Sequence, residues 1–98
     1  MKTDVEQHTV LFHNRAREVF FSLYNNFKHS TATVDRQRDE NVFQQLQAKY
    51  TNELKSQLHA VASEVLEQLP GLNDGLNRML HSLIEGYIRE FVQKARSL

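Results

Sequence analysis

Residues 43–69, FQQLQAKYTNELKSQLHAVASEVLEQL, decide the fold of this chain. Their apolar members recur at steps of three or four, and an α-helix completes a turn every 3.6 residues, so these side chains share one helix face. The stripe consists of Phe43, Leu46, Tyr50, Leu54, Leu58, Val61, Val65 and Leu69. The pattern therefore predicts one long helix, over about residues 36–69, that buries this face against the rest of the protein.

Two further helical stripes flank the long helix. One runs from Val5 to Phe27 and the other from Leu76 to Leu98, again with apolar residues at steps of three or four, apart from one two-turn step from Val5 to Phe12. These stripes predict helices over about residues 4–27 and 73–96. The sequence therefore predicts an all-α fold in a single domain of residues 1–98. Its form is either a three-helix bundle or a helical hairpin with a third helix, and consecutive helices are antiparallel neighbours.

Local signals mark the ends of these helices. Thr3 and Glu6 have the spacing of a capping box, which satisfies free backbone N–H groups at a helix start. Residues 28–34 are rich in Ser and Thr, whose hydroxyls bond their own backbone and favour loops. The pair Pro70-Gly71 stops the second helix, and Asn73 or Asp74 caps the third. We therefore expect one polar connection and one connection at the proline.

Composition excludes several classes of function. The chain has 12 basic and 12 acidic residues, so its net charge is zero and it has no overall field to attract nucleic acid or anionic lipid. It has no cysteine, which excludes disulfides and thiolate metal sites. No apolar run approaches the length of about 18 residues that spans a bilayer, and the first residues lack the apolar core of a signal peptide. We expect a cytoplasmic or nuclear protein with no membrane partner.

No motif in the chain predicts an enzyme. Glu64 and Glu67 share a helix face, as paired catalytic or metal-binding carboxylates do, but a helical di-metal site also needs Glu-x-x-His, so we interpret them as a solvated pair. The five histidines never recur at the i,i+4 spacing of a helical zinc site. We therefore expect no catalytic residues, metal, cofactor or small-molecule substrate. A basic patch for nucleic acid would need Arg15, Arg17, Arg36 and Arg38, which acidic residues interrupt.

The aromatic and apolar residues of the outer helices carry more information. Phe20 and Phe21 point about 100° apart on a helix, so one neighbouring helix does not easily cover both. The third helix has an apolar stripe wider than a coiled-coil seam, with Gly86 in its middle, where it predicts a kink or close helix packing. Either one three-helix core buries these stripes, or part of them binds a partner. The sequence alone does not decide between these two alternatives.

On the second alternative, the chain is a non-enzymatic helical subunit that pairs with helices of other protein subunits. The predicted interface consists of Phe12, Val19, Phe20, Phe21, Leu83, Ile84, Tyr87, Ile88 and Phe91. Replacing Ile88 or Phe91 with Asp is then expected to abolish partner binding. The alternative function is a self-associating helical adaptor or scaffold.

The order of these features resembles a known family. The residues that carry the resemblance are Arg15, Phe20, Tyr24 and Phe27 in the first helix, Phe43, Leu46, Glu53 and Leu58 in the second, and Leu76, Asn77 and Met79 in the third. Residues 10–90 resemble the polyamine-modulated-factor family, a subunit of the MIND kinetochore complex. The resemblance implies a nuclear helical head that pairs with the namesake Mis subunit and helps dock the kinetochore onto inner-centromere proteins in chromosome segregation. It also implies a longer coiled coil after Leu98.

Overall fold

A computed structural model of the chain describes residues 4–35, 37–68 and 74–97, with side chains from Glu6 onward. These residues form three α-helices: α1 (Asp4–Thr31), α2 (Glu40–Glu67) and α3 (Asp74–Arg96). No strand occurs within the described ranges. The predicted all-α, three-helix fold is confirmed. The predicted caps at Thr3 and Asn73 and the Pro70-Gly71 stop lie outside the described residues.

The three helices pack side by side into a bundle 53 Å long, 20 Å wide and 17 Å deep. The pairs Phe27–Tyr50 and Arg15–Glu64 show that α1 and α2 are antiparallel, since residue numbers fall in one helix as they rise in the other. The pairs His13–Tyr87 and Phe20–Phe91 show that α1 and α3 run in the same direction. Helix α2 is therefore antiparallel to both of its neighbours.

The core lies along the whole bundle and takes apolar side chains from all three helices. Its buried members are Phe12, Ala16, Phe20, Leu23, Phe27, Phe43, Leu54, Leu58, Val61, Ala62, Val65, Leu76, Leu80, Ile84, Phe91 and Ala95. Most of these residues belong to the three stripes that the helical period places on one face. On α2, Ala62 is buried although it lies outside the predicted stripe, and Leu46 and Tyr50 of that stripe are only partly buried. The ring of Phe27 joins the helices at one level, with ring-centroid distances of 5.5 Å to Phe43, 5.8 Å to Tyr50 and 6.0 Å to Phe91.

The first connection lies later in the chain than the sequence predicts, because α1 continues to Thr31 rather than ending near Phe27 and α2 begins only at Glu40. The hydroxyl of Thr31 donates a hydrogen bond of 2.8 Å to the Phe27 carbonyl oxygen, and the hydroxyls of Ser30 and Tyr50 share a bond of 2.8 Å. The Ser and Thr side chains therefore find partners within the helix and on α2, where they do not compete with helical geometry.

Helix α2 begins at Glu40, later than the expected start near residue 36. One carboxylate oxygen of Asp35 accepts hydrogen bonds from the backbone N–H groups of Gln37, at 2.9 Å, and Arg38, at 3.3 Å. An Asp side chain that bonds the backbone two and three residues later stabilises a turn. Asp35 therefore holds a separate turn before α2, in residues that the sequence predicts to be the start of the helix.

Candidate functional site

A groove between α1 and α3 contains four of the predicted interface residues, namely Phe20, Phe21, Leu83 and Tyr87. It encloses about 620 Å³. Its walls are His13, Arg17, Phe20 and Phe21 from α1 and Ser82, Leu83, Gly86, Tyr87 and Glu90 from α3. Because each set recurs at steps of three or four, each wall is one ridge of a helix. We call this surface the α1–α3 groove.

Phe21 is the main apolar side chain that the α1–α3 groove offers to solvent. It is 53% exposed, whereas its neighbour Phe20 is 3% exposed in the core. The two rings meet edge to face, with centroids 5.7 Å apart. The expectation that one neighbouring helix does not cover both rings therefore agrees with their positions, since α3 covers Phe20 and leaves Phe21 half open.

Lys94 lies over the aromatic rings at one end of this groove. Its ammonium nitrogen is 5.5 Å from the Phe20 centroid, 5.8 Å from that of Phe21 and 5.7 Å from that of Tyr24. The Glu90 carboxylate lies 3.9 Å from the same nitrogen. A cation over ring faces is held by the negative charge density of those faces. Lys94 therefore positions the aromatic cluster and places a positive charge beside Phe21.

A polar contact between His13 and Tyr87 crosses the floor of the groove. The His13 Nδ1 atom and the Tyr87 hydroxyl oxygen are 2.8 Å apart and share a hydrogen bond. Burial raises the pKa of the Tyr87 phenol above its ordinary value; the charge of Arg17 opposes this shift and that of Glu90 adds to it. A neutral phenol keeps its proton for the hydrogen bond, so the pair ties α1 to α3.

Gly86 leaves an open place in the α3 wall. A Cβ atom added there would meet no atom within 4 Å outside the residue's own helix backbone and chain neighbours, and the residue is exposed. The prediction of close helix packing at Gly86 within this chain is therefore wrong. Glycine in a helix interior lowers stability by about 1 kcal/mol relative to alanine. No packing contact at Gly86 within the described residues offsets this loss.

The structure divides the nine predicted interface residues into three groups. Four of them are core residues, namely Phe12, Phe20, Ile84 and Phe91. Four are partly buried against that core, namely Val19, Leu83, Tyr87 and Ile88, and Phe21 is exposed. The three-helix core thus accounts for most of the wide stripes. Replacing Phe91 with Asp would put a carboxylate in the core and test the fold rather than an interface.

Of the four arginines that a basic patch for nucleic acid would need, the described Arg15 and Arg38 lie apart. Arg15 forms an ion pair with Glu64 on α2, and it lies about 24 Å from the end of α1 at 1.5 Å per residue. Arg38 lies in the connection, 3.8 Å from Asp35, and Arg36 lies outside the described residues. The pair Glu64 and Glu67 is exposed, with Glu64 engaged by Arg15.

The described ranges lack the side-chain cluster of a metal site and the apolar helix of a membrane span. No group of three or more His, Asp or Glu side chains there has an arrangement that holds a metal ion. No helix in the same ranges combines the length and apolar character needed to cross a bilayer. The histidines His59 and His81 meet across α2 and α3 with ring centroids 5.3 Å apart, a contact that their positions in sequence did not indicate.

Comparison with known protein families, curated proteins and solved structures finds no match to this chain. The resemblance to the polyamine-modulated-factor family therefore stays a prediction that rests on the residues named for it above.

Proposed function

We propose that this chain is a non-enzymatic helical subunit of a multi-protein assembly and that its α1–α3 groove receives a helix of a partner subunit. The observation that carries the proposal is the half-exposed ring of Phe21 on a groove that also contains Leu83, Tyr87 and the open position at Gly86. Partly exposed aromatic side chains at a concave surface are typical anchors of protein interfaces.

The groove has the features that a helix-in-groove interaction requires. An incoming amphipathic helix presents apolar side chains at i, i+3, i+4 and i+7, and the rings of Phe21 and Tyr87 offer matching apolar surface. Gly86 lets the partner approach the α3 backbone closely, because no side chain stands between them. Arg17 and Glu90 carry opposite charges along the walls and would favour one orientation of the partner.

For the particular assembly, we propose a kinetochore linker complex of the nucleus. This choice rests on the resemblance at residues such as Phe20, Tyr24 and Phe43, and on the all-helical architecture, which the resemblance also implies. The partner would then be the helical head of the namesake Mis subunit, and the heteromer would act in chromosome segregation. No ligand, nucleic acid or cofactor is part of this proposal.

The test is affinity purification of the tagged chain from dividing cells of its source, with mass spectrometry of the co-purified proteins. The wild type is compared with Phe21→Asp and with the control Val42→Asp. Phe21 and Val42 are both about half exposed, at 53% and 45%, but Val42 lies on α2 away from the groove. We expect partner recovery with the wild type and the control, and loss with Phe21→Asp.

Each outcome decides one level of the proposal. Equal recovery with both variants would show that the α1–α3 groove is not the interface. Recovery of partners other than kinetochore linker subunits would retain the groove and refute the particular assembly. Recovery of the chain alone would refute the heteromeric subunit and favour the self-associating adaptor.

A further inference from the structure

A second groove, between α2 and α3, differs from the first in its charge. It encloses about 780 Å³ on the other side of α3. Its charged and imidazole side chains are Lys55, His59, His81, Glu85, Arg89 and Arg96. Three permanent cations thus face one carboxylate, although the whole chain has a net charge of zero. We call this surface the α2–α3 groove, and it is separate from the groove of the proposed function.

No cation of this groove lies within ion-pair distance of a carboxylate in the described residues, although Glu85 lines the same groove. The ion pairs there are Arg15–Glu64, Arg38–Asp35 and Lys94–Glu90, none of which uses a groove residue. Uncompensated like charges that line one concave surface raise its potential and favour anionic ligands. The two imidazoles of His59 and His81 add further N–H donors for carboxylate oxygens.

The floor of the groove is apolar. Ile84 is buried, and Ile88 and Val92 are partly buried with side-chain surface left open to the groove. The α3 wall from His81 to Arg96 extends about 22 Å at 1.5 Å per residue, which is the length of about four helical turns. A free phosphate or other small anion would use the cations and leave this apolar floor uncovered.

We infer that the α2–α3 groove binds an acidic, amphipathic segment of a partner protein. Apolar side chains of the segment cover Ile88 and Val92, and its carboxylates face Lys55 and Arg89 on opposite walls. The charge of the groove selects the acidic segment, and the apolar floor distinguishes it from a nucleic acid. This inference does not rest on the α1–α3 groove, and Phe21 takes no part in it.

The probe is a fluorescein-labelled helical peptide of about 16 residues, long enough to span the groove. It carries leucine at every third or fourth position and glutamate elsewhere, and a matched peptide carries lysine in place of each glutamate. Fluorescence anisotropy with the full chain measures both affinities. We expect saturable binding of the acidic peptide, at least tenfold tighter than that of the basic one, with NMR shift changes at the Ile88 and Val92 methyls.

Three single variants and one double variant locate the site. Lys55→Glu and Arg89→Glu are expected to weaken acidic-peptide binding at least tenfold, because each replaces a cation with an anion. Lys49→Glu makes the same charge change on an exposed residue of α2 that does not line the groove, and is expected to change the affinity less than twofold. The double variant Lys55→Glu/Arg89→Glu is expected to bind the basic peptide more tightly than the wild type does. Thermal melting verifies that each variant is folded.

Several results would overturn the inference. These are equal binding of the two peptides, equal weakening by Lys55→Glu and Lys49→Glu, or shift changes confined to the α1–α3 groove. If a single-stranded oligonucleotide bound more tightly than the acidic peptide, the groove would be assigned to nucleic acid instead. If the chain self-associated and Arg89→Glu abolished that association, the groove would be assigned to a second copy of the chain. A failure here leaves the Phe21 experiment unaffected, so the two proposals fail separately.

Discussion

At the scale of single residues, Phe27 is the point where the three helices meet. Its ring is fully buried and contacts Phe43, Tyr50 and Phe91. Removing a buried phenylalanine side chain costs about 3–5 kcal/mol, which is a large part of the stability of a small domain. The free energy of unfolding therefore depends more on this position than on any surface contact of α1.

We predict that Phe27→Ala lowers the free energy of unfolding by about 3–5 kcal/mol or abolishes cooperative unfolding. The control Phe21→Ala makes the same change on the same helix at a half-exposed ring, and is expected to cost about 1 kcal/mol or less. Urea unfolding followed by circular dichroism measures both values. Equal losses would mean that Phe27 is not the junction of the core.

The hydrogen bond between His13 and Tyr87 gives a second prediction, on pH dependence. Tyr87→Phe is expected to lower the free energy of unfolding by about 1 kcal/mol near neutral pH, the net value of one hydrogen bond. Burial raises the pKa of Tyr87 in the folded state, so the fold favours the neutral phenol. This contribution to stability is fully present below about pH 10, the pKa of tyrosine in the unfolded chain. It is lost as the pH rises through the higher pKa of Tyr87 in the folded state.

Urea titrations of the wild type and Tyr87→Phe at a series of pH values up to about 10.5 test this prediction. The stability advantage of the wild type should be constant up to about pH 9 and then decrease. An advantage that stays constant or grows above pH 10 would contradict the buried, hydrogen-bonded position of Tyr87.

At the scale of helices, Gly86 lowers the stability of α3 and, in the proposed function, leaves the α3 backbone open to a partner. Within the described residues, no atom outside its own helix backbone and chain neighbours lies within 4 Å of a Cβ built at this position. We predict that Gly86→Ala raises the free energy of unfolding by about 0.5–1 kcal/mol and the melting temperature by about 4–8 °C per kcal/mol. The same variant should weaken partner binding in the affinity purification. Lower stability of Gly86→Ala would show that the position is packed.

The helices themselves were predictable because their apolar period of three to four residues is a local signal. The end of α1 and the start of α2 were not predictable, because Ser, Thr and Asp side chains can hydrogen-bond either within a helix or in a turn. Thr31 bonds its own helix, whereas Asp35 bonds a turn. Among the described site residues, the sequence pointed to Phe21, Leu83 and Tyr87, but it gave no sign of the tie between His13 and Tyr87. These two are 74 residues apart, and only the packing of α1 on α3 brings them together.

At the scale of the whole molecule, the bundle is elongated. It exposes 6745 Å² of surface, whereas a compact monomer of its mass of 11.5 kDa exposes about 5,800 Å². Both grooves run beside α3, which therefore has accessible surface on each of its two sides. An elongated helical body with two grooves of different charge suits a subunit that joins two partners, since each groove selects by a different chemistry.

The most direct test of the account is site-specific photo-crosslinking in dividing cells of the source organism. A benzophenone amino acid replaces Ser82, an exposed residue of the α1–α3 groove, or Gln45, an exposed residue of α2 outside it. We predict a crosslinked adduct with a helical partner protein from position 82 and none from position 45. Adducts from neither position, or equal adducts from both, would contradict the assignment of the α1–α3 groove as the partner-binding site.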